Sequence, residues 1–227
     1  MPSGPTSAAP ARFGDLTVAG FVEALASSEP VPGGGSASAV AASLAAGLVA
    51  MVAALSEGRP KYADHAATHA SAGAAGRVLA ERLLRLADED SAAYAVFAAA
   101  LRMPKDTETD QEARRVALRL AARTASNVPM ACVEACLEVV EAAQALAGRC
   151  NQNASSDLAV ACLLATAAAH GAGANVLVNL AAAGDPDFSA AMSARVGDLL
   201  DQIDELSVAT REVVASGELR APLAGGA

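Results

Sequence analysis

The sequence contains very few aromatic residues and no tryptophan. Phenylalanine, tyrosine and tryptophan together make up 3% of its 227 residues, whereas 53% of the residues are hydrophobic. A core so poor in aromatics must be built from alanine, leucine and valine, whose small side chains let helices pack closely. No segment alternates between apolar and polar residues for long enough to be a strand. These two absences predict an all-α fold.

Basic residues are also scarce. The chain has 16 lysines and arginines against 25 acidic residues, a formal net charge of −9. A nucleic-acid backbone requires a basic surface, so this balance excludes nucleic acid as the expected partner. It leaves room for an anionic small molecule held by local dipoles and a few cations.

Metal-binding and redox motifs are missing. None of the four cysteines (Cys132, Cys136, Cys150 and Cys162) forms a Cys-x-x-Cys pair. With no signal peptide ahead of them, we expect small buried apolar thiols in a reducing cytoplasm. His65 and His69 lie one turn apart but lack the glutamate of a zinc-binding His-Glu-x-x-His motif, so we expect them at the surface. His170 is expected to be a packed histidine.

Two long apolar stretches, 37–55 and 158–183, raise the question of a membrane. Their length lies within the spanning range of about 17–25 residues or exceeds it. However, they consist mostly of alanine, glycine and serine, and no cluster of lysine or arginine flanks them. A helix that is apolar on all sides can equally form the centre of a soluble bundle or oligomer, and we expect that here.

The chain is organised as one helical domain, predicted over 14–217, between tails at 1–13 and 218–227. Pro60 suits the first turn of a helix, Pro104 ends one and Pro129 is expected to kink another. The predicted helices cover Leu16–Ala26, Ser36–Ser56, Pro60–Leu101, Glu108–Ala147, Ser155–Ala182 and Asp187–Ala215.

The junction Pro32-Gly33-Gly34-Gly35-Ser36 is the most informative short segment. Three glycines leave backbone N–H groups uncovered, and Ser36 is a preferred N-cap residue. A helix that begins here would direct unpaired N–H groups and its positive dipole end at an anion or a polar ligand atom. Alternatively, the glycines only let a buried helix begin in a crowded place. No Gly-Lys-Ser/Thr follows, so the segment is not a nucleotide P-loop.

One acidic residue falls on an apolar face of the third predicted helix. Seven residues follow one another there at steps of three and four: Leu79, Leu83, Leu86, Asp90, Tyr94, Phe97 and Leu101. A carboxylate on such a face is unfavourable unless it is paired or functional, and burial raises its pKa. Asp90 therefore either has a structural partner, such as an arginine or a helix N-terminus, or is a proton-transferring group, whereas Asp88 and Glu89 point away from this face.

The fifth predicted helix carries Asp157, Asn175 and Asn179 on one face. The two buried amides need partners and could bind a heterocycle or cap a neighbouring backbone. Asp157 and Asn175 are about 27 Å apart along a straight helix, so they cannot both contact one small ring. They serve different ends of a long ligand, different active sites of an oligomer, or structure, unless Gly171 and Gly173 break the helix.

An ordered set of short motifs spans about residues 14–215. They are Pro32–Ser36 with the helix after it and Met51, Gly58–Lys61, Asp90–Tyr94, Met103–Lys105, Val128–Pro129, Asn151–Asp157 and Gly171–Asn179. In this order they resemble the cyclodeaminase/cyclohydrolase family, whose members act on one-carbon derivatives of tetrahydrofolate. The family usually has Gly-Asn where this chain has Cys150-Asn151, so the shape of that loop is expected to differ.

The resemblance implies a long-helix up-and-down bundle that forms a homodimer and uses neither metal nor nicotinamide. It implies one of two reactions. A cyclodeaminase closes 5-formiminotetrahydrofolate to 5,10-methenyltetrahydrofolate with loss of ammonia, and a cyclohydrolase opens the methenyl compound to 10-formyltetrahydrofolate. No transferase domain precedes residue 14, which favours the cyclohydrolase. A non-catalytic helical folate-binding or scaffold protein is the alternative.

The same resemblance assigns roles to individual residues. The catalytic aspartate of the family falls on Asp90, with Asp88 as the other candidate. Lys61, and less surely Lys105, would attract the carboxylates of the folate's glutamate tail. The full expected substrate-binding set is Gly33, Gly34, Gly35, Ser36, Lys61, Asn151, Asp157, Asn175 and Asn179.

Overall fold

The computed structural model describes residues 12–223, and over that range the chain is helical and contains no strand. Six α-helices follow one another: α1 Val18–Leu25, α2 Gly34–Ala54, α3 Ala66–Leu101, α4 Glu108–Leu146, α5 Ser155–Ala183 and α6 Pro186–Ser216. Short 3₁₀ helices lie at Phe13–Asp15, Pro60–His65 and Gln152–Ala154. The predicted all-α class is confirmed, and most helix ends lie within two residues of their predicted positions.

Helices α2 to α5 form an antiparallel ring in which each contacts its two neighbours, and α6 packs against α4 and α5. The pairing of α2 with α3 shows the direction, because Ser36 contacts Ala87 and Ser43 contacts Ala80. The pairing of α2 with α5 is also antiparallel, because Gly34 lies beside Asn175 and Ser38 beside Gly171. The predicted up-and-down arrangement is therefore the observed one.

Small residues bring these helices unusually close. A Cβ atom added to Gly76 on α3 would lie 2.7 Å from the carbonyl oxygen of Ala46 and 2.9 Å from the amide nitrogen of Ala50, both on α2. Backbone atoms cannot yield as a flexible side chain can. This contact explains how a core with few aromatic residues still reaches high packing density.

The interior is aliphatic, and all four cysteines are buried and free, as predicted. The expectation for His69 was wrong, because only 1% of this residue is exposed and its Nε2 atom lies 2.8 Å from the carbonyl oxygen of Arg149. The carbonyl fixes the ring and satisfies its polar atom. His170, predicted to be packed, is instead exposed on α5, 3.1 Å from Asp204.

Two helix starts differ from prediction. Helix α2 begins at Gly34 with Gly33 as its N-cap, so Ser36 lies inside the first turn and is not the cap. Pro60 begins a 3₁₀ helix with a non-helical residue, Tyr62, before α3 starts at Ala66. Helix α4 is assigned as continuous through Pro129.

The ends of the described chain are tied to the bundle. The backbone N–H of Phe13 donates to Asp88 (2.8 Å), and Arg12 lies 3.5 Å from the same carboxylate. At the other end, the N–H of Arg220 donates to the carbonyl of Gly148 (3.0 Å). Parts of both predicted tails are therefore anchored, while residues 1–11 and 224–227 lie outside the described residues.

Two helical segments, Gly34–Ala54 and Gln152–Ala183, are long and apolar enough to cross a membrane by length and composition, with mean hydropathies of 2.0 and 1.5. In each, 44% of the most apolar window is buried inside the protein. The central helices of a soluble bundle have the same properties.

Candidate functional site

A cleft opens where the first turn of α2 meets α3, α4 and α5. We call it the Asp90 cleft; its volume is about 180 Å³. It is lined by Pro30, Val31, Gly33, Gly34, Gly35, Asp90, Tyr94, Phe97, Ala125, Asn175 and Asn179. Six of the ten residues predicted for the site thus come together here, from three separate motifs.

Asp90 is half-buried at the inner wall of this cleft, and Ser36 is its immediate partner. The Ser36 Oγ atom lies 3.1 Å from Asp90 Oδ2, 3.0 Å from the carbonyl oxygen of Ala87 and 3.3 Å from Ser91 Oγ. A serine hydroxyl has one proton to donate and two lone pairs. Facing an ionised Asp90, it can donate to the carboxylate; facing a protonated Asp90, it can accept from the acid and donate to Ala87.

This arrangement lets Ser36 stabilise both protonation states of Asp90 without moving. Burial raises the pKa of Asp90 above its ordinary value, and hydrogen bonds from the hydroxyl and backbone N–H of Ser36 lower it. The net direction is upward, because burial is the larger effect. A carboxyl group with a raised pKa and an adaptable hydrogen-bond partner suits a group that takes and returns a proton.

Gly35 is the glycine that this geometry requires. A Cβ atom added there would lie 2.6 Å from the Asp90 carboxyl carbon, well inside van der Waals contact. At Gly34 the corresponding atom would meet only Asn175 Nδ2, at an ordinary 3.6 Å. The close approach of α2 to the Asp90 carboxyl group therefore depends on the absence of a side chain at Gly35, the second residue of the helix.

The two amides of α5 also lie at the cleft, and each donates its Nδ2 proton to a backbone carbonyl. Asn175 donates to Gly171 in its own helix (2.8 Å), and Asn179 donates to Ala125 on α4 (2.7 Å). Ala125 is four residues before Pro129, which has no N–H, so its carbonyl lacks an intrahelical partner. Asn179 donates to that carbonyl, and capping a neighbouring backbone is one of the two roles that the sequence predicted for the amides.

The Oδ1 atoms of Asn175 and Asn179 keep their acceptor capacity. Within residues 12–223 no hydrogen bond is made to either oxygen, and both residues line the cleft. The face of α5 therefore offers two acceptors opposite Asp90, which suits the N–H groups of a heterocycle.

Three of the other predicted site residues lie elsewhere. Lys61 and Asn151 line a separate open cleft, the Lys61 cleft, with Arg59, Pro60, Tyr62, Gln152 and Asn153. Lys61 Nζ donates to Gln152 Oε1 (2.8 Å), and Asn151 is buried, its side chain engaged with Leu55 and Asn153. Asp157 is in the first turn of α5. Because α5 runs unbroken to Ala183, Asp157 lies about 27 Å from Asn175 along the helix axis.

Asp88, the second candidate for catalysis, faces the N-terminal segment and not the cleft, since it accepts from Phe13 and pairs with Arg12. Tyr94 and Phe97 line the cleft, although sequence reasoning assigned them only to an apolar face. Their spacing of four and seven residues from Asp90 on one helix was the feature of the sequence that could have placed them in the site. Across residues 12–223, no group of three histidine, cysteine, aspartate or glutamate side chains is placed to hold a metal ion.

The sequence and fold were compared with known proteins. The family model described as formiminotransferase-cyclodeaminase matches residues 17–198. A methenyltetrahydrofolate cyclohydrolase of Methylorubrum extorquens is 34% identical over 203 residues, which cover 89% of this chain and 98% of that protein. A formimidoyltransferase-cyclodeaminase of Sus scrofa is 33% identical over 182 residues, and the matched part is 34% of its length.

A crystal structure of formiminotetrahydrofolate cyclodeaminase from Thermotoga maritima has the same fold, with a TM-score of 0.81 and 24% identity. The alignment covers 89% of this chain and 98% of that one. The family model covers most of the helical bundle, and the cyclohydrolase match extends over nearly all of both chains. The chain therefore belongs to the formiminotransferase-cyclodeaminase family.

Proposed function

We propose that this protein is a folate one-carbon enzyme that hydrolyses 5,10-methenyltetrahydrofolate, with Asp90 as general acid and base. The observation that carries the proposal is the Asp90 cleft itself, in which a half-buried carboxyl group with a raised pKa shares its lining with two asparagines whose Oδ1 atoms accept no hydrogen bond within residues 12–223. The cyclohydrolase of Methylorubrum extorquens, matched over 98% of its length at 34% identity, supports this reaction.

The chemistry balances with one proton carrier. Ionised Asp90 takes a proton from the water whose oxygen bonds to the cationic methenyl carbon, which gives a neutral tetrahedral carbon. Asp90 then returns the proton to N5 as the bond between that carbon and N5 breaks. The hydroxyl group on the carbon loses its proton to solvent, and 10-formyltetrahydrofolate results.

The same groups would serve the cyclodeaminase reaction. There N10 attacks the carbon of the protonated formimino group, Asp90 accepts the N10 proton, and it returns that proton to the departing nitrogen, so that ammonia leaves and the methenyl cation remains. The relatives named as formimidoyltransferase-cyclodeaminases favour keeping this second candidate. This chain spans about a third of their length, so their complete activity does not carry over.

Purified protein tests both reactions directly. Hydrolysis of the methenyl compound is followed by its ultraviolet absorbance, with the non-enzymatic rate subtracted and Asp90→Asn as the matched control. Formiminotetrahydrofolate is assayed in parallel by release of ammonia. Folate binding without turnover of either compound would overturn the enzyme proposal in favour of a non-catalytic folate-binding protein. Activity that survives exhaustive chelation would support the expectation that no metal takes part.

The proposal includes a homodimer in the cytoplasm, with no membrane and no nucleic acid. The homodimer is supported by an exposed apolar stripe on each of the two most apolar helices. Leu44 and Met51 are exposed on α2 and Leu55 at its C-cap, and Leu163 and Leu177 are exposed on α5. Burial of these faces against a second copy would remove apolar surface from water. Light scattering tests this, and Leu44→Glu should shift the protein towards monomer; a wild-type monomer at all concentrations would refute it.

A further inference from the structure

A second cleft adjoins the Asp90 cleft at the C-terminal end of α3, and it is basic. Its walls include Phe97 and Leu101 from α3, Arg114, Arg115 and Arg119 from α4, and Ala182 from α5. None of the acidic residues in the described part of the chain lines it. Three guanidinium groups in one cleft are notable in a chain with a net charge of −9, and we call it the arginine cleft.

The two clefts adjoin each other at Phe97. Phe97 lines both, and Ala182 lies one turn beyond Asn179 on α5. Phe97 is seven residues beyond Asp90 on α3, about 10 Å along the helix axis, and Leu101 is about 16 Å beyond it. A ligand that starts at Asp90 and follows α3 therefore passes the Phe97 ring before it reaches the arginines.

These arginines retain unused donor capacity. Arg114 donates from Nη2 to the carbonyl of Leu101 (3.3 Å), but its Nε atom is buried and has no acceptor within residues 12–223. Among residues 12–223, Arg115 pairs only with Glu112, which belongs to its own helix. Arg119 lies against Gly184, where a Cβ atom would be 2.7 Å from its Nε atom, and no acceptor within the described chain bonds to it. Guanidinium groups recognise carboxylates by paired hydrogen bonds.

We infer that the arginine cleft binds the carboxylates of the substrate's glutamate tail, with Phe97 against the aminobenzoyl ring between tail and pterin. This inference rests on the proposed folate function and gives that substrate a direction in the site. It replaces Lys61 as the tail-binding residue, since Lys61 lies in the Lys61 cleft near the far end of α5. A tail that leaves Asp90 towards Phe97 runs away from Lys61.

The test compares Arg115→Gln/Arg119→Gln with the wild type on methenyltetrahydrofolate carrying one or three glutamates. Arg114 is left intact because its hydrogen bond to Leu101 helps to end α3. The control is Arg195→Gln, which makes the same change at an exposed arginine paired with Glu134 on α4. We expect the KM for the triglutamate to rise roughly tenfold, with kcat retained and a smaller rise for the monoglutamate. The difference should shrink as salt rises.

An unchanged KM, or a rise produced equally by Arg195→Gln, would overturn the inference. A rise produced by Lys61→Gln and not by the arginine variant would do so too. A fall in kcat at constant KM would place the arginines at the reacting carbon and overturn it as well.

Equilibrium binding separates this inference from the proposed function. Calorimetry with p-aminobenzoyltriglutamate needs no pterin and no turnover. Weaker binding of this probe by the double variant than by the wild type supports the arginine cleft even if no folate is turned over. Equal binding overturns it even if the enzyme proves to be a cyclohydrolase.

Discussion

Gly35→Ala is the substitution that best tests the geometry of the Asp90 cleft. The added methyl group would lie 2.6 Å from the Asp90 carboxyl carbon, whereas an ordinary contact is at least 3.4 Å. The carboxyl group must therefore withdraw by about 1 Å or rotate away from Ser36. A misplacement of about 1 Å can lower the rate of a positioned reaction by about 10²-fold.

Stability should change much less than activity. Alanine is favoured over glycine inside a helix by about 1 kcal/mol, while crowding of a packed site costs about 1–3 kcal/mol. The two effects oppose each other, so we expect a net loss of no more than about 2 kcal/mol. Thermal unfolding and circular dichroism would show a folded protein, and initial rates at saturating methenyltetrahydrofolate would show the loss in kcat.

Gly34→Ala is the matched control, one residue earlier in the same turn. Its methyl group would meet Asn175 Nδ2 at 3.6 Å, an ordinary contact, so activity should stay within a few-fold of the wild type. If both variants lose activity equally, the glycines act through the shape of the loop and not through Asp90. A Gly35→Ala variant with the wild-type kcat would show that the position of Asp90 does not govern the reaction.

Three further predictions follow from the contacts of the cleft. Asp90→Asn should abolish turnover, whereas Asp88→Asn should mainly loosen the N-terminal segment. Because the pKa of Asp90 is raised in the folded protein, its ionised form destabilises the fold at neutral pH. Asp90→Asn should therefore raise the melting temperature at pH 7. This gain should vanish as the pH falls below 3.8, the pKa of the aspartate in the unfolded chain. A constant gain at all pH values would contradict this. Ser36→Ala removes a hydrogen bond that lowers the Asp90 pKa, so the acidic limb of the rate–pH profile should move to higher pH, and an unmoved limb would exclude Asp90 as the titrating base. Asn179→Ala should lower the free energy of unfolding by about 1 kcal/mol or more, because it leaves the Ala125 carbonyl without a donor. In a double-mutant cycle, Pro129→Ala should reduce this loss, because alanine restores the N–H that can donate to Ala125. Independent effects of the two substitutions would refute the pairing of Asn179 with Ala125.

The helices could be predicted because several independent features of the sequence indicate them. Proline, glycine and polar clusters mark most helix boundaries, and the absence of any strand pattern left one fold class. The start of α2 was misplaced because serine is the stronger N-cap in general, whereas here Gly33 is the cap and Ser36 is needed two residues into the first turn, against Asp90.

The site was predictable only where helical periodicity constrains it. The spacing along α3 put Asp90 and Asp88 on different faces, and the structure bears out that separation. The spacing along α5 showed that Asp157 and Asn175 could not share a small ligand, which the unbroken helix confirms. Periodicity within one helix says nothing about which other helix lies opposite, so it could not show that Lys61 and Asp90 line separate clefts of the chain.

The arginine cleft could not be predicted from the sequence either, because its walls come from different helices. Arg115 and Arg119 are four residues apart on α4, a spacing typical of a solvated helix face. They line a cleft together because α3 ends opposite them, and Phe97 lies between that cleft and the Asp90 cleft. Information of this kind resides in the packing of three helices and not in any local motif.

The placement of charge in the two clefts matches the charge of the proposed substrate. A methenyl carbon between two nitrogens carries positive charge, and the glutamate tail carries negative charge. In the proposed pose Asp90 would face the first, and the arginines would face the second beyond Phe97 and Leu101, which lie about 10 and 16 Å from Asp90 along α3. Burial raises the pKa of Asp90 in the free protein, but a bound cation favours the ionised carboxylate. Arrival of the substrate would therefore shift Asp90 towards the ionised form that the attack of water requires. The same cation would leave when the ring opens, and the carboxyl group would again favour its protonated form.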